Sequence, residues 1–320
     1  MLRDLVIVGA GPVGATLALA LRDADLDVVV LDSRAPETAS RSDRSLALSH
    51  GARLILERLD VWPRLAATRD AVTPITSVDI SQAGGFGITR LVASDHDVPA
   101  LGYVVSYRAL QSALDAALAG AGIAIQFNAA AKSVGATPAY VAVMLAGGNA
   151  DPITARLAAI ADGSGTLVDG IRRERKDYGH VAITAKVSIS RAHGGRAFER
   201  FTAEGPMALL PDGDHYGVVW TMTPERAQQL LALADDAFLA ALTARFGAPF
   251  EGFVGVSTRL SFPLALELGR PTVATRAVVV GNAAQSLHPV AGQGFNLGMR
   301  DAYELAQTII ATPRDALGGG

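Results

Sequence analysis

The sequence predicts an α/β fold: a doubly wound domain built from discontinuous segments, with an antiparallel sheet inserted into it. Three observations predict this. A short continuous apolar run, Leu5 to Val8, leads into a glycine-rich turn and an Ala- and Leu-rich helix pattern, as expected of a parallel strand covered on both faces. A second such run, Ala277 to Val280, is again followed by glycines and a helix pattern. Between them, from about Asp177 to Phe262, apolar residues alternate with period two, the mark of an antiparallel sheet with one covered face.

The elements follow in order. Pro12 to Arg22 reads as a helix with proline in its first turn, and Val28 to Leu31 as a second buried strand. Ser33 to Ser45 is polar and irregular, and His50 to Leu59 is helical. Ile75 to Ile80 and Ile88 to Val92 are strands around Gly84-Gly85. Tyr107 to Leu118 is a helix, Ile123 to Phe127 a strand, Val134 to Leu145 a hairpin, and Leu157 to Ala161 a buried strand ending at Asp162-Gly163. In the inserted region, Val181 to Val187, Ala197 to Thr202, Tyr216 to Thr221 and Val254 to Phe262 are strands. Pro224 to Ala234 and Ala237 to Phe246 are helices, and a last helix covers Asn296 to Ala311.

Composition narrows the function. The 320 residues are 50% hydrophobic and 18% charged, against about 25% charged in an ordinary domain, so disorder is excluded for most of the chain. The net charge of −3 and the lack of a long basic run argue against nucleic-acid binding. The basic cluster Arg172, Arg173, Arg175 and Lys176 reads as a solvated loop. There is no cysteine, which excludes disulfides, thiolate nucleophiles and cysteine metal centres. The histidines form no metal-binding spacing, so no metal is expected. The apolar stretch Leu5 to Leu21 is not read as a signal peptide, because Asp4, three glycines and Pro12 interrupt the pattern. A cytoplasmic protein is expected.

Two motifs carry chemistry. Gly9-Ala10-Gly11-Pro12-Val13-Gly14 lies between a strand and a helix. There the first glycine makes the turn, the second admits a pyrophosphate and the third lets the helix pack closely. Asp32 ends the second strand, where an acid accepts from a ribose hydroxyl. This predicts a dinucleotide site, without separating NAD from FAD. The second motif runs from Gly281-Asn282 through Pro289 to Gly292, Gly294, Phe295 and Asn296. Glycines beside a helix start form a second anion or carbonyl-oxygen site, and two sites at opposite ends of the chain suggest one long ligand.

On these residues the sequence resembles the class A flavoprotein aromatic monooxygenases, and within them the UbiH/UbiF/VisC group of ubiquinone-biosynthesis hydroxylases. The resemblance rests on the GAGPVG start, Asp32, Arg44 to Ser49, Tyr107 to Leu110, Ala161-Asp162-Gly163, Phe198 to Thr202 with Leu209-Leu210-Pro211, and the segment GNAAQSLHPVAGQGFNLGMRDA. It implies a Rossmann-like, GR2/PHBH-like FAD-binding domain over 1–75, 101–176 and 264–320. A substrate domain with an antiparallel sheet would cover 76–100 and 177–263. A C-terminal helical region present in the family is expected to be absent here.

The resemblance also implies roles. Gly9, Gly11, Pro12 and Gly14 would hold the pyrophosphate of a tightly but non-covalently bound FAD, and Asp32 its adenosine ribose. Arg44, Arg108 and Gln111 would lie along the phosphate and ribityl chain. Asp162 would serve FAD and the passing NAD(P)H, and Gly281 and Asn282 the ribityl chain. Pro289, Gly292, Gly294, Phe295 and Asn296 would line the isoalloxazine. NAD(P)H would reduce the flavin, O₂ would give a C4a-hydroperoxide, and its distal oxygen would pass to the ring of a polyprenylated ubiquinone precursor. No catalytic side chain is assigned. Phe198, Phe201, Met207, Leu209, Trp220 and Met222 are candidates for an apolar substrate wall. Peripheral contact with the inner face of the membrane, or with other ubiquinone-biosynthesis proteins, is a further implication. Hydroxylation of a soluble phenol and a catalytically silent FAD-binding subunit remain the alternatives.

Overall fold

The computed structural model describes residues 1–35, 44–147, 151–247, 252–287 and 293–319. The chain opens with β1 (Arg3–Val8), α1 (Pro12–Ala20) and β2 (Val28–Leu31), then β3 (Ser45–Ser49), α2 (His50–Arg58) and α3 (Trp62–Ala66). Next come β4 (Val72–Ile75), β5 (Ser77–Gln82), β6 (Ile88–Val92), β7 (Gly102–Ser106) and α4 (Tyr107–Gly120). After β8 (Ile125–Gln126), β9 (Ala131–Ala136) and β10 (Val141–Leu145) form a hairpin beside β11 (Ile153–Ile160). The middle of the chain gives β12 (Arg172–Ile189), β13 (Arg196–Thr202), β14 (Gly205–Asp212) and β15 (His215–Met222). It continues with α5 (Pro224–Leu231), α6 (Asp235–Phe246), β16 (Phe253–Val256) and β17 (Leu260–Arg270). The end comprises β18 (Val273–Ala274), β19 (Ala277–Val279), β20 (Gln285–Ser286) and α7 (Gln293–Ala311).

Three sheets result. The first runs β18-β19-β11-β1-β2-β8, with β19, β11, β1, β2 and β8 parallel. Its centre is apolar on both faces because both are covered. Leu5 and Ile7 of β1 pack with Leu17, Leu114 and Met299 of α1, α4 and α7, whereas Val6 and Val8 pack under the β9–β10 hairpin with Val134, Val141 and Val143. The second sheet runs β20-β17-β12-β15-β14-β13-β5-β6, with β16 also beside β12. Helices α5 and α6 cover one of its faces through Trp220, Phe238 and Leu242. The third is a small sheet, β3-β7-β4.

Several expectations change. The basic run Arg172 to Lys176 is not a loop but the start of β12, in register with β17 from Arg172↔Arg270 onward. Its charges sit on a sheet end that reaches into water, where Arg173 and Glu267 form an ion pair. The strand expected from Val254 to Phe262 is two strands, β16 and β17. Strands β3, β4, β7 and β14 were not expected. Of the polar stretch Ser33 to Ser45, residues 36–43 lie outside the described part, and Ser45 already begins β3. Strands β12 and β17 run unbroken through 176–177 and 263–264, so one ladder crosses both expected domain boundaries.

Candidate cofactor and substrate site

The glycine-rich turn lies at the carboxyl end of the parallel strands, where open α/β sheets bind ligands. Gly9 has φ of +103°, and a Cβ there would lie 2.6 Å from the Ala161 carbonyl oxygen. A Cβ on Gly14 would lie 1.9 Å from the Gly9 carbonyl oxygen, so the close packing of α1 on the turn requires glycine. At Gly11 a Cβ would meet nothing within 4 Å. Gly11 is the N-cap of α1, has no side-chain cap and precedes Pro12. The helix start therefore opens onto a cavity of about 580 Å³ lined by Gly9, Gly11, Pro12 and Val13. Backbone N–H groups and the helix dipole at such a place favour a phosphate.

Asp32 shares this cavity. Its carboxylate accepts from the Ala10 and Arg34 amides, both at 2.8 Å. The Arg34 guanidinium lies 3.3 Å from Asp32, forks onto Asp115 at 2.6 and 2.7 Å, and rests 5.3 Å over the Phe127 ring. Gln111 donates to the Ala10 carbonyl and to Asp115, each at 2.9 Å. The acid at the strand end is thus fixed by a scaffold of the buried Gln111 and the half-buried Arg34 and Asp115. The Asp115 contact raises the already high pKa of Arg34, so the cation is permanent.

The opposite wall is made by two turns pressed together. A Cβ on Gly165 would lie 2.2 Å from the Ala283 carbonyl oxygen, and one on Gly298 of α7 would lie 2.9 Å from Gly281 Cα. Asp162 accepts from the Ser164 amide at 3.1 Å, the Gly165 amide at 3.0 Å and the Ser164 hydroxyl, closing its own turn. Arg173 joins the two turns. It donates to the Ser164 carbonyl and, at 3.1 Å, to the Asn282 carbonyl, while Glu267 holds it at 2.7 Å. Charge-assisted bonds of this kind contribute about 1.5–3 kcal/mol each. Arg173→Met is therefore expected to weaken retention of the ligand in this cavity about tenfold, roughly 1.4 kcal/mol, read as a higher dissociation constant in flavin fluorescence titration.

The structure brings most of the expected cofactor residues together. Asp162, Gly281, Asn282, Gly294 and Phe295 face Gly9, Gly11, Pro12 and Asp32 across the cavity, and Arg44 and Gln111 line its side. The Arg44 guanidinium stacks 4.4 Å over the Tyr107 ring. Gly14 lies behind the turn as a packing residue. Arg108 is exposed and lines neither this cavity nor the next one. Asn296 lines the next cavity instead, and its amide bridges the Ser49 N–H at 2.8 Å and the Ala47 carbonyl at 2.9 Å. Pro289 and Gly292 lie outside the described residues.

That next cavity, about 540 Å³, lies between β3, α2 and the start of α7 on one side and the uncovered face of the second sheet on the other. Its sheet wall is Ala197, Pro206, Ala208, Leu210, Val219 and Thr221. Five of the six expected wall residues are one step out of phase, and the sixth, Phe201, is on the cavity face but exposed. Leu209, Trp220 and Met222 are buried under α5 and α6. Phe198 and Met207 border the cavity but belong to the helix-side core. Alternation along a strand makes any such one-residue error a change of face.

Sequence reasoning missed Arg34, Asp115, Arg173 and Glu199, the last lining the second cavity. Asp115 had a readable signal, since it follows Gln111 by four on a helix and so shares its face.

A phosphate-ready helix start, a strand-end acid and a second backbone turn across one long cavity define a dinucleotide-binding flavoprotein site, and the open cradle at Gly11 fits the pyrophosphate of FAD. The chain belongs to the FAD binding domain family, which matches residues 3–317. It is 34% identical to the ubiquinone hydroxylase UbiL of Rhodospirillum rubrum over 99% of this chain and 74% of that protein. It is 30% identical to the 3-demethoxyubiquinol 3-hydroxylase of Escherichia coli over 96% of this chain and 79% of that protein. Among solved structures, PqsL of P. aeruginosa in complex with 2-aminobenzoylacetate superposes with a TM-score of 0.83 at 21% identity, covering 100% of this chain and 90% of that one. The p-nitrophenol 4-monooxygenase PnpA of Pseudomonas putida gives 0.75 at 18% identity, over 97% and 80%. Both likenesses concern the fold.

Proposed function

We propose that this protein is an FAD-dependent monooxygenase that hydroxylates the aromatic ring of a polyprenylated ubiquinone precursor, with NAD(P)H as reductant and O₂ as oxygen source. The observation that carries the reading is the contact between the two cavities. Gly294 and Phe295 line the dinucleotide cavity, while their neighbours Gln293, Asn296 and Leu297 line the apolar one. A ring bound in the second cavity would lie against the end of a cofactor bound in the first. The names of the relatives support the substrate class.

In this reading residues 1–75, 101–176 and 264–320 hold the cofactor, and 76–100 and 177–263 hold the substrate. Bound FAD, once reduced, supplies oxygen from O₂ in a form that an electron-rich ring can take up. The chain does the rest. Gly9, Gly11 and the α1 start bind the pyrophosphate, and Asp32, braced by Arg34, binds the adenosine ribose. Asn282 and the Gly281 turn meet the ribityl chain. Leu210, Val219 and Ile75 present apolar surface that keeps water from the reacting ring. Among the described residues no helix is long and apolar enough to cross a membrane. The exposed Phe86, just before β6, and Ile88, its first residue, at the edge of the sheet that walls the cavity, support a peripheral contact with the bilayer that carries such a substrate.

The test is turnover of a prenylated phenol by FAD-loaded protein with NAD(P)H under isotopically labelled O₂. One labelled oxygen atom in the ring product is expected. Reductant consumption that no such phenol stimulates, with no label in the ring, overturns the reading.

A further inference from the structure

The second cavity is mostly apolar, and one acid stands on its wall. Glu199 of β13 lines it, and its side chain has no hydrogen bond or ion pair among the described residues. The strand sets its direction. Phe198 packs its ring against Tyr216, centroids 6.0 Å apart, within the helix-side core. Strand alternation then turns Glu199 to the opposite face, that of the cavity. Its register partner on β14 is Ala208, and Val78, Leu210 and Val219 stand beside it. A half-buried carboxylate without a partner is costly, and a purely structural acid at this place would be paired, as Asp79 is one strand away.

We propose that the Glu199 carboxylate is the proton acceptor for the ring hydroxyl of the aromatic substrate. This rests on the monooxygenase reading for the identity of the reaction. The proton of the ring O–H passes to a Glu199 oxygen, and the electron pair of that bond stays on the ring oxygen. The ring carbons ortho and para to it become electron-rich and attack the oxygen that the reduced cofactor delivers from O₂. The new C–O bond forms as the O–O bond breaks. The ring C–H proton goes to the departing second oxygen, which leaves as water with a further proton from the reduced cofactor, and the carboxyl returns its own proton to the ring oxygen as aromaticity is regained.

The surroundings suit this role. Burial alone pushes the Glu199 pKa above the usual carboxylate range, and no neighbouring charge offsets it. The other charged residue on the cavity wall is Arg300 of α7, which is exposed and 3.5 Å from Glu304. Across the sheet, Arg196 and Arg90 are committed to Asp79, and Arg200 donates to Ser81. The direction of that change makes the carboxylate a stronger proton acceptor than an exposed one.

The test needs no turnover. Para-hexylphenol and its methyl ether are titrated calorimetrically into FAD-loaded protein near neutral pH, in two buffers of different ionisation enthalpy, which counts protons exchanged on binding. The phenol stabilises the carboxylate by donating to it, so wild type is expected to release more protons with the phenol than with the ether. Glu199→Gln is expected to erase that difference while keeping its flavin content. Equal proton counts for phenol and ether in the wild type overturn the proposal. A difference that survives in Glu199→Gln overturns it as well. Turnover adds a second reading. Glu199→Gln is expected to lose about 10²-fold or more in kcat with KM little changed, and to lose the acid limb of the pH profile; Glu199→Asp regains part of the rate. A protein that proves not to hydroxylate leaves the proton count readable, so failure of the broader reading is distinguishable. Because its native pKa is raised, the Glu199 contribution to stability falls as pH rises through that value. Glu199→Gln is therefore expected to unfold at a higher temperature than wild type at neutral pH, with the gap closing below the ordinary glutamate range.

Discussion

Gly14→Ala is expected to give protein that holds no flavin and is unstable. The added Cβ would sit 1.9 Å from the Gly9 carbonyl oxygen and 3.3 Å from Ala161 Cβ. No rotamer relieves a clash with backbone, so α1 must lift from the turn that it completes. Overpacking costs about 1–3 kcal/mol where side chains can yield, and here the upper end or beyond is expected. Gly11→Ala provides the contrast. Its Cβ has open space in the protein alone, so the thermal stability of the flavin-free protein should match wild type. FAD binding should still fall, because the methyl group occupies the approach of the pyrophosphate. Flavin absorbance per protein, together with thermal unfolding of the flavin-free form, separates the two variants. A flavin-loaded Gly14→Ala protein of normal stability would contradict the packing account.

Asp79→Ala is expected to destabilise the second sheet by about 2 kcal/mol and to remove the part of its acid sensitivity that Asp79 contributes. Asp79 is 3% exposed between β13 and β6 and accepts from Arg90 at 2.6 and 3.0 Å and from Arg196 at 3.1 Å. Removing one partner of a buried pair costs about 3–5 kcal/mol. The smaller figure follows because both arginines are partly exposed and can turn to water. The hydrogen bond from Arg90 is the largest influence on the carboxyl; with Arg196 it outweighs burial and holds the pKa below the usual aspartate value. A depressed carboxyl stabilises above its unfolded value, near 4, and that contribution vanishes as pH falls through the native value. The difference in unfolding temperature between wild type and Asp79→Ala should be full at neutral pH and shrink steadily on acidification. A constant difference across that range would assign the loss to packing instead.

The parts of the fold that are legible in the sequence are those where burial leaves a local trace. Val28 to Leu31 is a strand to the residue, because both faces of a central parallel strand must be apolar. The glycine-rich turn is legible for the same local reason, since Gly9 and Gly14 answer contacts within a few residues or on the adjacent strand. Strand β14 is not legible, because Pro206 and Pro211 lie inside it, and proline normally argues against an interior strand. The charged start of β12 reads as loop because its partners, Glu267 and Arg270, are about ninety residues away in the chain. The site divides in the same way. The residues of the turn and Asp32 can be named from spacing, whereas the Arg34–Asp115 fork joins positions 81 apart. Glu199 is a member of a quoted motif, yet only the register of three strands tells which face it takes.

The first turn of α7 forms the common wall of both cavities, and Asn296 within it is bolted to β3 by two hydrogen bonds. Two ligands that share a wall cannot bind independently if either shifts it. Linkage then imposes reciprocity: whatever factor an aromatic guest adds to the affinity for flavin, flavin must add to the affinity for the guest. Among the described residues, the helix start is thus the one element through which occupancy of either cavity would be felt in the other.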